Sequence, residues 1–523
     1  MSQYVTANLT RRQLGALTVV AAGGVITGLA ATAAAAAPGC RTDPAAGKHQ
    51  FRALWIASVV NIDWPSTTGL GAQQQRAELT GWFDLAVRLR LNAVILQVRP
   101  TADALWPSRY EPWSQYLTGR QGVDPGYDPL EFAVAEAHRR NLELHAWFNP
   151  YRVSMQADPA QLVPEHPVRR HPDWVFAYGP KLYYNPGIPD VRQFVEDAIL
   201  DAVTRYDIDG VHFDDYFYPY PIAHQVVPDA GTFARYGTGF ASVADWRRDN
   251  VNKLVSEMGQ RVHRAKPWVK FGISPFGIWR NRTTDPRGSD TSALQSYDEI
   301  SADTRLWVKN GWIDYITPQL YWNIGYPVAD YAKLVPWWND QVHGTGVQLY
   351  LGEATYKVGT PGAWSNPAEL SSHLSFDRNY PGVIGNVYYS ARSVRTDALG
   401  AMSRLVAEHY PHPAITPPMD HLWHDRPPLR PPTLTDAART SAGVELRWRP
   451  EGAHRPTSYA VYRFDGQAHA QGCDFADATH LLATTRDQRF VDATAIAGRA
   501  DTYYVTALDR LSAESEPTPS PAV

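Results

Sequence analysis

The densest chemical signal in the chain is Asp207-Ile208-Asp209-Gly210-Val211-His212-Phe213-Asp214-Asp215-Tyr216. In an extended strand, residues 210, 212 and 214 share one face, so His212 and Asp214 point the same way. Asp215 points oppositely until the chain leaves the strand. Two adjacent carboxylates at a strand end suit acid–base or nucleophilic work on an acetal. Burial beside a like charge pushes their pKa values apart, so one donates a proton while the other stays ionised. The competing use is structural: one Asp caps the next turn, or pairs with Arg99 or Arg152.

Other residues suit the same chemistry. Glu353 is the second carboxylate placed for catalysis and the expected partner of Asp214 across the site, unless it serves as a surface or salt-bridged Glu. Asp63 and Trp64 lie in a Trp-Pro turn, where they could bind substrate, although structural use of Asp63 is favoured. Gln319, Tyr321 and Trp322 could hydrogen-bond or stack on sugars, or pack among themselves. Arg99 and Arg152 could bind a substrate carboxylate or neutralise the Asp pair. Asn149, Tyr151, His212 and Tyr216 complete the candidate binding set. Metal readings fare worse: His212 with Asp214 makes half a site, and no second His-rich strand end completes it. No G-x-S-x-G or Cys-centred nucleophile signature is present. No cofactor is expected.

These residues need a scaffold. From residue 51 the chain repeats a short β-branched and aromatic run followed by an amphipathic helical stretch. The predicted strands are 52–59, 93–98, 142–148, 210–214, 269–274, 315–320, 348–352 and 385–389. Helical stretches at 73–89, 191–206 and 242–262 carry apolar faces. Eight such units predict a (β/α)8 barrel, whose site lies at the C-terminal ends of the strands. Every singled-out residue falls at or beside such an end. The 523-residue length suits more than one domain, and a net charge of −4 argues against a nucleic-acid partner. The 18 Trp and 28 Tyr against 16 Phe suit either a heavily aromatic core or flat amphipathic rings lining a groove for sugars or other ring-shaped ligands.

The ends of the chain read differently. Residues 1–37 carry Arg11-Arg12 and then an apolar Ala/Gly-rich run, an export signal of the twin-arginine type. The mature protein is expected outside the cytoplasm or in the envelope, with no stable membrane span. Cys40 is a minor candidate for lipidation; its loss or lipidation would leave Cys473 a lone thiol. Residues 411–432 hold eight prolines, so 411–430 reads as a stiff linker with few contacts crossing it. Beyond it, alternation at Val444, Leu446 and Trp448 and at Tyr503, Val505 and Ala507 predicts half-buried strands of a β-sandwich over 431–523. That segment resembles a fibronectin type III module.

The run Phe51-Arg52-Ala53-Leu54-Trp55-Ile56-Ala57-Ser58-Val59-Val60-Asn61-Ile62-Asp63-Trp64-Pro65-Ser66 resembles the opening of the glycosyl hydrolase-like family 10, also called DUF187. Asp209-Gly210-Val211-His212-Phe213-Asp214-Asp215-Tyr216-Phe217-Tyr218-Pro219 is similar to its fourth-strand motif. Asn185-Pro186-Gly187-Ile188-Pro189-Asp190 and Pro318-Gln319-Leu320-Tyr321-Trp322 also look familial. The resemblance spans about residues 50–410. It implies a barrel glycoside hydrolase of the bacterial envelope, acting on peptidoglycan glycan strands, particularly those lacking stem peptides. It aligns Asp214 and Asp215 with the family motif and leaves their roles as acid, base or nucleophile open. Family 18 chitinases would place a catalytic Glu where this chain has Tyr216, so their arrangement is not expected. Two rival readings remain: a non-catalytic barrel that binds envelope polysaccharide, and a metal-dependent polysaccharide deacetylase.

Overall fold

A computed structural model describes Cys40, residues 42–43, 46–423 and 425–523. The expected export signal over 1–37 lies outside the described residues. Eight parallel strands close into a barrel: β1 (Phe51–Ile56), β2 (Ala93–Arg99), β3 (Glu143–Phe148), β4 (Gly210–Phe213), β5 (Lys270–Ile273), β6 (Tyr315–Ile316), β7 (Gln348–Glu353) and β8 (Val383–Tyr388). β8 pairs back to β1, with Gly385 opposite Phe51. Each of the eight predicted strands is a barrel strand. The predicted helical stretches appear as Ala72–Arg88, Pro189–Arg205 and Val243–Ala265. The last starts where the Ser242 hydroxyl accepts from the Asp245 amide, at 3.0 Å.

Strand parity divides the core. Phe51, Ala53 and Trp55 of β1 fill the barrel, while Leu54 and Ile56 face the helices. The interior is tight and partly polar. The Tyr315 ring fits only because residue 272 is glycine, where a Cβ would lie 2.1 Å from it. Tyr315 hydroxyl bonds His145 Nδ1 at 2.8 Å, and His145 Nε2 reaches Glu143 at 3.0 Å. Lys270 Nζ donates to both Glu143 oxygens at 2.7 Å.

The segment after the barrel is not a free spacer. Ala414, Ile415, Thr416 and Met419 are buried. Ile415 exchanges backbone hydrogen bonds with Lys48 and Gln50. Met419 and Leu511 pack into the barrel interior with Phe51 and Tyr350. The prolines rigidify a chain that is pressed onto the barrel, rather than one that spans solvent. Beyond it lie two antiparallel sheets, one of three strands and one of four. The strand Gly443–Arg449 alternates as expected. The strand Asp501–Leu508 is buried on both faces, because Tyr504 and Leu508 pack with Ala46, Ile415 and Phe475. Arg510 donates to Asp207 and to Asp209, the latter at 3.1 Å, tying this region to the chain just before β4. Cys40 and Cys473 form a disulfide. The Cys40 sulfur is thereby committed, so neither a thioether lipid there nor a lone Cys473 thiol fits this structure.

Candidate active site

β4 ends at Phe213, and Asp214 continues its inward face one step beyond. Four hydrogen bonds from three groups converge on its carboxylate. Trp147 Nε1 donates to Oδ2 at 3.0 Å, Asn149 Nδ2 to Oδ1 and Oδ2 at 3.0 and 2.9 Å, and the Tyr216 amide to Oδ1 at 3.2 Å. Asn149 is itself oriented by the Arg152 amide, which donates to its Oδ1 at 2.8 Å. The Arg152 guanidinium donates to Pro100 carbonyl at 3.1 and 3.0 Å and lies 5.2 Å from the Tyr216 ring centre. Burial raises the Asp214 pKa; the Arg152 charge and the donors from Asn149, Trp147 and Tyr216 oppose that rise.

Asp215 meets a different environment. It accepts from Tyr220 hydroxyl and, at 3.2 Å, from Gln319 Nε2. Burial and then the charge of Asp214 push it up to about 6. Burial lifts both carboxyls, and the donors that converge on Asp214 favour the shared proton on Asp215. That is one acid and one ionised carboxylate at a single strand end.

His212 lies one step below, inside the barrel. Trp55 Nε1 donates to its Nε2 at 3.2 Å, so the ring proton sits on Nδ1 and is offered to Tyr315 hydroxyl at 3.0 Å. Ser274 Oγ is 3.0 Å from Nε2. Burial, then the His145 charge, holds the His212 pKa well below its ordinary value, so the imidazole is neutral. It anchors the Trp55 indole under the mouth. Around the carboxylates stand aromatic rings. Tyr321 lies 6.1 Å from Tyr389 and 5.8 Å from Tyr356, Trp322 meets Phe276 edge-on at 5.5 Å, and Tyr216 meets Tyr220 at 5.5 Å.

Five candidates lie elsewhere. Glu353 shares the parity of Leu349 and Leu351, which face the helices, and points outward with them. It accepts from Tyr331 hydroxyl at 2.8 Å and Asn386 Nδ2 at 3.2 Å, and pairs with His373 Nδ1 at 2.8 Å. It is a buried brace rather than the partner of Asp214. Asp63 is saturated by the Ala57 and Arg392 amides, each at 2.8 Å, and the Ser390 hydroxyl at 2.7 Å. Trp64 is fully buried, its indole N–H on Gln75 carbonyl at 2.8 Å. Arg99 forms a buried fork with Glu111 at 2.6 and 2.5 Å and donates to Asn149 carbonyl. Tyr151 packs in the outer core. The structure thus gathers Asp214, Asp215, Asn149, Arg152, His212, Tyr216, Gln319, Tyr321 and Trp322 at one end of the barrel.

Trp147 and Tyr220 were not foreseen. Trp147 was legible in retrospect, since it precedes Asn149 by two residues and so shares its face. Tyr220 returns from a loop with no periodic signal. Among the described residues, no group of three or more His, Cys, Asp or Glu side chains is arranged to hold a metal ion.

The glycosyl hydrolase-like 10 family matches residues 50–368 of the chain. Glycosyl hydrolase YngK of Bacillus subtilis (strain 168) is 46% identical over 481 residues, covering 90% of this chain and 92% of its own length. Glycosyl hydrolase DigH of Escherichia coli (strain K12) is 40% identical over 362 residues, 65% of this chain and 82% of its own. Among solved structures, the PgaB (BpsB) glycoside hydrolase domain from Bordetella bronchiseptica is similar at 14% identity with a TM-score of 0.46, covering 69% of this chain and 99% of that one.

Proposed function

The chain belongs to the glycosyl hydrolase-like 10 family, and on that premise we propose that it hydrolyses glycosidic bonds of a cell-wall glycan outside the cytoplasm. The observation that carries this reading is the buried Asp214–Asp215 pair, whose two members meet opposite environments. Asp215, lifted to about 6, keeps a proton to give to the leaving glycosidic oxygen. Asp214, the carboxylate on which Trp147, Asn149 and the Tyr216 amide converge, stabilises the positive charge that develops at the anomeric carbon until water adds there and returns a proton to Asp215. The aromatic rings of the mouth supply faces for sugar rings.

The substrate we infer is the peptidoglycan glycan strand freed of stem peptides, the activity the family resemblance implies. Export is supported by the twin-arginine pattern and by the Cys40–Cys473 disulfide, a bond that persists in oxidising compartments. The two C-terminal sheets are read as a fibronectin type III-like module. The test is incubation of the purified protein with peptide-free glycan and mass spectrometry of the products. New reducing ends support the hydrolase, and anhydro ends would indicate a lytic transglycosylase. Unchanged glycan would indicate a binding protein. Asp214→Asn should lower turnover at least about a hundredfold in a protein that still folds.

A further inference from the structure

The turn after β1 adopts a conformation that its sequence disfavours. Val60 has φ 45° and ψ 28°, and Asn61 follows with φ 54°. Asparagine enters this left-handed region readily. A β-branched residue does not, because its two γ carbons crowd the backbone. Among the described non-glycine residues with positive φ, Val60 is the one that is β-branched.

Four sets of hydrogen bonds hold the turn in place. Gln97 Oε1 accepts from the Ser58 and Val59 amides at 3.1 and 2.9 Å. Asn61 Nδ2 donates to Pro65 and Tyr116 carbonyls at 2.9 and 3.0 Å. Arg392 Nη2 donates to Asn61 carbonyl at 3.1 Å. Asp63 accepts from the Ala57 amide and ties the turn to Ser390 and Arg392 beyond β8. Gln97 holds its two amides at a cost, since its own Nε2 is buried without a partner. A strained residue persists where its surroundings over-determine it, and such residues gather at functional sites.

Val60 is 53% exposed, so more than half of its surface is turned to solvent rather than into the core. It stands past the C-terminal end of β1, on the rim of the barrel mouth. The Tyr116 hydroxyl meets the Val60 backbone and feels the charge of Arg152, whose guanidinium lies 5.2 Å from the Tyr216 ring centre. Glycine or asparagine at position 60 would relax the turn. The strain is accounted for if the two exposed methyl groups are needed outside.

We propose that Val60 is a substrate-contact residue. It is a rigid apolar post on the β1 side of the mouth, meeting the apolar ring face or N-acetyl methyl of a 2-acetamido sugar bound at Asp214 and Asp215. The proposal rests on the glycosidase reading and adds a specificity element to it.

The test uses the full chain with Val60→Gly, Val60→Asn and Val60→Ile, read by thermal midpoint, kinetics on peptide-free glycan, and calorimetric binding of that glycan. Val60→Gly and Val60→Asn should raise the midpoint by roughly 1–4 °C while lowering kcat/KM by about tenfold, chiefly through KM. Val60→Ile keeps both strain and apolar surface, and should stay within about threefold of wild type without gaining midpoint. A raised midpoint with unchanged KM and binding would overturn the contact. A lowered midpoint in both relaxing variants would overturn the strain argument on which it stands. A wild type that binds glycan without cleaving it, with binding lost in Val60→Gly, would support the contact and refute only the glycosidase reading. A wild type that neither binds nor cleaves overturns both.

Discussion

Asp215→Asn should make the protein less active and, at neutral pH, more stable. The argument begins with burial. Asp215 is 7% exposed and sits beside the Asp214 charge, which together lift it from an ordinary 3.8 to about 6. That rise corresponds to about 3 kcal/mol. The sign follows from proton binding. The folded protein holds this proton more tightly than the unfolded chain, so the contribution of Asp215 to stability is greatest below about pH 4 and falls as pH rises through about 6. Asparagine carries no such proton and escapes the loss. Denaturant unfolding of wild type and Asp215→Asn at pH 4.5, 5.5, 6.5 and 7.5 should show the variant gaining on wild type with pH. The difference should level off above pH 6.5 at no more than about 3 kcal/mol. Turnover should fall at least about a hundredfold over the same series, and the alkaline limb near pH 6 should vanish from any residual activity. Parallel stability curves would mean that Asp215 ionises without penalty, and it could not then be the group that keeps the proton for the leaving oxygen.

Two further changes separate structure from chemistry. Glu353→Gln leaves His373 inside the protein without its main counter-charge; burial opposes that imidazolium, and Glu353 together with Glu369 and Asp377 outweighs burial to lift the group to about 9. Unfolding stability should drop by about 3–5 kcal/mol while kcat of the folded fraction stays within about threefold; a kcat loss at unchanged stability would return Glu353 to the mouth. Leu511→Ala should cost about 2–5 kcal/mol, and truncation near Thr416 should yield a barrel that no longer unfolds cooperatively at the wild-type temperature. A truncated chain with wild-type unfolding would show that the tail is dispensable.

What the sequence disclosed divides along physical lines. Period-2 and helical patterns are local, so all eight barrel strands and the inward aim of His212 and Asp214 could be read from them. A position at a strand end is not sufficient to aim Glu353 into the mouth. At β7, residues 349, 351 and 353 share the outer face, and counting back to Leu349 and Leu351 would have shown it. The structural partners of Arg99 and Asp63 hide for another reason. Glu111 lies in the loop after β2 and the Arg392 amide in the first turn of the helix Ala391–Thr396, and no local pattern announces such pairs. Tyr220 was invisible on the same ground. The proline-rich segment misled because composition reports stiffness and says nothing of what the stiff chain rests on.

That last point changes what the C-terminal sheets can be doing. If they fed glycan to the carboxylates, they would border the mouth. Their contacts run to the other end: Leu511 and Met419 meet Phe51 and Tyr350 near the strand starts, and Arg510 grips Asp207 and Asp209 just before β4. In barrels of this kind the chemistry resides at the strand ends, and the opposite face serves stability. Lys48 pairs with Glu514 at 2.6 Å and donates to Phe475 carbonyl at 2.9 Å, so the chain entering β1 is held by the same sheets. The disulfide closes that arrangement across 433 residues of sequence. Closing so long a loop restricts the unfolded chain, and such cross-links typically contribute about 2–4 kcal/mol. The tail therefore acts as the floor of the barrel, and a glycan substrate has to be held by the mouth itself.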